Sequence, residues 1–140
     1  MSRKRGNIKR DRINISEKIQ SHPTELQSPL QKKPKFSLEY LQERYCISKC
    51  EKTDKAAFAD KLRELSQLTW AQIKSSGRHQ HGYEKIRKAS IRVSIPTHIT
   101  DDVDLIAFRF SRNKPMVGYR DREVFYILWF DRDFSLYDHS

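Results

Sequence analysis

Glycine and cysteine are scarce in this chain, and no apolar run is long. Four glycines in 140 residues are too few for phosphate-cradling loops, and neither G-x-x-x-x-G-K-[ST] nor G-x-G-x-x-G occurs. Two cysteines, Cys46 and Cys50, do not make the disulfide framework of a small secreted domain. Reduced thiols and a cytoplasmic location are therefore expected. The longest apolar run, Val124 to Phe130 (VFYILWF), falls far short of the ~18–20 residues that cross a bilayer, so no membrane contact is expected. The charged start MSRKRGNIKR is not followed by an apolar stretch, so no secretory signal is expected either.

Basic charge is what the chain has in excess: 28 Lys and Arg against 18 Asp and Glu, a net +10. Residues 1–35 hold ten basic and three acidic residues, or +7, which leaves 18 against 15, or +3, for residues 36–140. In the first stretch Ile8, Ile13, Ile15 and Ile19 are scattered among polar residues, and Pro23, Pro29 and Pro34 punctuate the second half. Such a segment has no apolar face with which to offset its ordering entropy, so a disordered basic arm over 1–35 is expected. A single domain follows over 36–140. A basic arm on a mildly basic domain points to a polyanion, most simply nucleic acid, although a solubilising tail has the same composition.

The domain is organised around residues 105–137. Ile106, Phe108 and Phe110 alternate with Ala107 and Arg109, the period of a half-buried strand. The Asn113-Lys114-Pro115 sequence breaks the pattern, residues 116–119 resume it, and Arg120-Asp121-Arg122-Glu123 makes a polar tip. Val124 to Phe130 reads as a strand buried on both faces. Upstream, FSLEYL suits a short strand. Phe58, Leu62 and Leu65 define a helix face, with Thr53 or Asp54 as cap, and Thr69 caps a second helix from Trp70 to Ser75. Residues 75–86 read as a loop, and Ile91, Val93 and Ile95 as another strand. The order predicts an α+β fold, two helices packed on one face of an antiparallel sheet of about four strands.

Two metal readings lose to simpler ones. Cys46, Cys50, His79 and His81 make a four-ligand set on paper, but two partly buried thiols near a helix start explain the cysteines. Asp101, Asp102 and Asp104 read as an acidic surface turn. No metal and no cofactor are expected. Metal-free RNA cleavage needs a base for the 2′-hydroxyl, an acid for the leaving oxygen and cations for the phosphorane-like state. Histidine and arginine suit these roles. His79, His81, Glu84 and Lys85 fall on one loop, Arg109 projects opposite Phe108 and Phe110, Arg120 and Arg122 occupy the hairpin tip, and Tyr137-Asp138-His139 closes the chain. Nucleic-acid contacts are expected from Arg78, Lys85, Arg87 and Arg122 and from Arg3, Lys4 and Arg5 in the arm. Each residue alone has a plainer account as a solvated charge, a packed ring or a frayed end.

The element order, with the terminal run MVGYRDREVFYILWFDRDFSLYDHS, resembles the RelE/ParE superfamily of small bacterial toxins. The segments GYEKI and LYDHS are also similar to small proteins of prophages and other mobile elements. The toxin resemblance implies cleavage of mRNA, usually in the ribosome, and inhibition by an antitoxin protein. It implies catalytic contributions from Arg109, Arg120, Tyr137, Asp138 and His139, with His81 as an addition. The alternative expectation is a non-enzymatic nucleic-acid-binding or protein-interaction module. The basic arm is an addition to the toxin order.

Overall fold

The computed structural model describes residues 28–77 and 81–139. The disorder expected for residues 1–27 of the arm therefore lies outside the described residues. The last arm residues do make contacts: Leu30 packs on the core, and Lys32 O accepts from Trp70 N at 3.0 Å. Five strands form one sheet: β1 (Lys35–Ser37), β2 (Glu84–Ile86), β3 (Leu105–Ser111), β4 (Lys114–Asp121) and β5 (Val124–Phe130). Their order is β1-β5-β4-β3-β2. Helices α1 (Lys52–Leu65) and α2 (Trp70–Ser75) lie between β1 and β2 in the chain.

The α+β architecture is as expected, but the sheet differs in two ways. It has five strands, and the pairing of β1 with β5 is parallel. Period-2 alternation reports which side chains go inward, not the direction in which a strand is paired. The strand expected at Ile91 to Ile95 is absent, and β2 forms instead within the stretch read as a loop. Ile91, Val93 and Ile95 do turn inward, packing on the sheet face opposite the helices. An extended segment laid flat on a sheet shows the same alternation as a strand that joins its ladder.

The β3–β4–β5 meander follows the expected pattern closely. Two-residue turns join its strands, and Arg112 and Arg122 take the positive φ that tight hairpins need, 56° and 57°. Pro115 does not break the sheet. It sits in β4 opposite Arg109, beside a register shift where its missing donor costs little. Gly118 occupies a second register shift, and a Cβ there would collide with the Tyr126 carbonyl.

One sheet face carries Ile106, Phe108, Phe110, Met116, Phe125, Ile127 and Phe130 beneath the helices. Phe58 of α1 meets Phe130 edge-on at 4.8 Å, and Trp70 of α2 is buried with its Nε1 donating to Glu123 O at 2.9 Å. Helix α2 begins as expected, with a capping box formed by Thr69 and Gln72. For α1 the N-cap is Glu51 rather than Thr53 or Asp54. Asp54 lies one turn inside, where its carboxylate accepts from Ser111 Oγ and Lys114 Nζ, both at 2.8 Å. Burial alone would raise this carboxyl's pKa, but the Lys114 and Ser111 hydrogen bonds and the Lys114 charge outweigh it and hold the value low. The other face, around Leu105, Val117, Leu128 and Trp129, is covered by irregular chain and by the C-terminal segment.

A candidate active site at a notch in the sheet

Strand β2 is only three residues long and pairs with Leu105, Ile106 and Ala107. No described strand covers the rest of β3, so the sheet has a notch beside Arg109. Side-chain alternation places Arg109 with Leu105 and Ala107, on the face covered by irregular chain. A cleft of about 500 Å³ opens there, lined by Glu84, Arg109, Asn113, Phe134, Tyr137, Asp138 and His139, among others.

The chain reaches this cleft because of Asp131. This residue follows the last apolar strand, is fully buried, and donates its own N–H to Pro115 O at 2.9 Å. Its Oδ1 accepts from Ser135 N at 2.9 Å and Leu136 N at 3.1 Å. Its Oδ2 lies 2.8 Å from His139 Nε2. One carboxylate thus folds residues 132–139 into a loop against the sheet. Leu136 is buried, and its carbonyl accepts from Arg92 N at 2.9 Å. Ser135 Oγ donates to Asp133 at 2.7 Å, and this bond is the main reason the Asp133 carboxyl is held below its usual value.

His139 is therefore a fixed group, not a frayed end. An ionised carboxylate can only accept, so a hydrogen bond to Asp131 in that form uses Nε2 as the donor and fixes the orientation of the ring. The ring stacks on Tyr137 with centroids 4.0 Å apart, and Phe134 meets it edge-on at 5.0 Å. Tyr137 is itself largely buried in the second core cluster.

Of the residues expected to act together, Arg109, Tyr137, Asp138 and His139 meet at this cleft. The others lie elsewhere. Arg120 is on the helix side of the sheet, its guanidinium carbon 5.1 Å from the centre of the Trp70 ring and its Nη1 donating to Arg122 O at 2.8 Å. Strand alternation separates it from Arg109, a distinction the one-dimensional pattern of two arginines near turns did not carry. His81 stands near α1, with Nδ1 3.7 Å from Glu64 Oε1. Glu64 shares a second cleft, of about 480 Å³, with Arg109. Lys85 pairs with Asp104 at 3.3 Å, Arg87 is exposed just beyond β2, and Arg122 is exposed at the hairpin turn. Arg78, His79, Arg3, Lys4 and Arg5 lie outside the described residues.

Asp131, Phe134 and Asn113 were not expected at the site. The sequence signal for Asp131 was present: an acid directly after seven apolar residues enters the core unless the chain turns, and must then find donors. Among the described residues, no three His, Cys, Asp or Glu side chains gather as a metal site. Cys50 is buried, and that burial raises its thiol pKa. Cys46 instead accepts from Ser48, which lowers its own. Among the same residues no helix is long and apolar enough to cross a membrane. No protein-family model matches this chain, and no curated protein or solved structure matches it.

Proposed function

We propose that this protein is a metal-independent endoribonuclease acting on mRNA, of the RelE-like toxin kind. The observation that supports this reading is the convergence of Arg109, Tyr137, Asp138 and His139 on one cleft. Those residues lie on a strand and on a tail about 30 positions later in the chain. Arg109 offers a cation fork for the scissile phosphate and the charge that develops on it. His139, oriented by Asp131, supplies an imidazole for proton transfer. Glu84 and Asp138 supply carboxylates at the wall of the same cleft. In this reaction the ribose 2′-oxygen loses its proton to a base and attacks phosphorus, and the 5′-oxygen leaves with a proton from an acid. Arg120 and His81 have no part in this version of the site. A ribosomal setting and an inhibiting antitoxin are what the toxin resemblance adds to the reading.

The test is controlled expression of the wild type beside the Arg109→Ala/His139→Ala double variant, reading growth and mRNA integrity. Growth arrest with cleaved mRNA, relieved in a double variant that still melts cooperatively, is expected. Intact mRNA and normal growth with folded wild-type protein present would refute the ribonuclease and favour a nucleic-acid-binding module.

A further inference from the structure

Phe134 is the least economical residue of the cleft. It is one of two large apolar side chains left exposed among the described residues, at 40%. Its backbone also takes the left-handed conformation, φ 59°, which bulky side chains rarely adopt. The two other positive-φ side chains, Arg112 and Arg122, are explained by tight hairpin turns, whereas Phe134 lies in no hairpin. Asp131 imposes the conformation by binding the next two amides, Ser135 N and Leu136 N. Asparagine or glycine meets this backbone demand with less strain. The ring instead stands at the wall of the cleft, edge-on to His139 at 5.0 Å. Strain of this kind persists where the surroundings over-determine it, and such sites cluster at ligand clamps.

We infer that Phe134 is a stacking platform for a nucleobase of single-stranded RNA, holding the base next to the phosphate that Arg109 takes. This rests on the ribonuclease reading and adds the form of its substrate. A stacked base needs an exposed π-face close to a cation that tracks the backbone. Phe134 and Arg109 line the same cleft, and its volume of about 500 Å³ lies in the range of small-ligand pockets. Duplex RNA buries its bases and offers no such face, so the platform selects unpaired strands.

The experiment uses the full chain with four fluorescent homohexamers of A, C, G or U. These are 2′-O-methylated so that binding is read without cleavage. Wild type, Phe134→Asn and Phe134→Trp are compared by anisotropy, with a thermal melt of each. Stacking on an aromatic side chain predicts roughly ten-fold weaker binding of the best hexamer by Phe134→Asn, and recovery by Phe134→Trp. The ratio of wild-type to Asn affinity is expected to survive added salt, because stacking releases no counterions. The melt of Phe134→Asn is expected to stay cooperative, so that weaker binding is read on folded protein. Equal affinities for wild type and Phe134→Asn would overturn the platform and leave the ribonuclease reading standing. A ratio that vanishes with salt, or a loss that Phe134→Trp fails to recover, would do the same. Wild type that binds none of the four would also overturn the platform, and the ribonuclease reading then stands or falls by mRNA integrity in the expression test.

Discussion

Asp131→Ala is the most informative single change to the scaffold of this protein. The native carboxylate is fully buried and accepts from Ser135 N, Leu136 N and His139 Nε2. Alanine removes both oxygens, and with them all three hydrogen bonds, and leaves two backbone donors behind. A buried unpaired amide costs about 1–3 kcal/mol. Leu136 N is deeply placed and takes the upper part of that range, while Ser135 N is part-buried and takes the lower. With the partly exposed His139 contact contributing little, the total loss is about 3–4 kcal/mol. That is a large share of the 5–15 kcal/mol typical of a domain, roughly. At about 4 °C per kcal/mol for a domain of this size, the melting temperature should fall by about 12–16 °C. Asp131→Asn keeps an oxygen for the two amides and turns an NH2 toward His139, losing the acceptor for Nε2 alone, so it should cost about 1 kcal/mol. Thermal melts of the two variants, with hydrogen exchange at the Leu136 amide, make the comparison. If Ala and Asn destabilise equally, or Ala lowers the midpoint by less than about 5 °C, the carboxylate does not hold the tail as argued.

Two further outcomes follow from the scaffold. Asp54 has a folded pKa below its unfolded value, so its contribution is present above the unfolded pKa of about 3.9 and is lost as pH falls through the folded one. Asp54→Asn should therefore cost about 2 kcal/mol at neutral pH, with the gap closing below about pH 4 in urea midpoints, whereas a gap constant with pH would contradict the sign. Gly118→Ala forces a Cβ onto the Tyr126 carbonyl at the β4–β5 register shift, backbone against backbone. It should cost about 3 kcal/mol by denaturant unfolding, and a neutral result would mean that the strands part there easily.

What the sequence determined by itself is what depends on near neighbours. Thr69 as a cap placed α2, and the 3–4 spacing of Phe58, Leu62 and Leu65 marked α1. Alternation around Phe108 assigned the two faces of β3, with Arg109 opposite the helix-side aromatics. These signals arise from helix and strand periods that act over a few residues. The tertiary structure decided everything that requires a distant partner. Nothing local in Lys35–Ser37 specifies a parallel mate 89 positions later in the chain, and nothing in Ile91, Val93 and Ile95 distinguishes a ladder from an apron laid over one. The same limit applied to the candidate site. Residue types suited to RNA chemistry were legible, but Arg109 and Arg120 looked equivalent until pairing put them on opposite faces. Tyr137, Asp138 and His139 looked like a loose end until one buried carboxylate, Asp131, took up the donors that fold them back. Burial turns such a long-range contact into an obligation, because a charge without donors cannot stay inside.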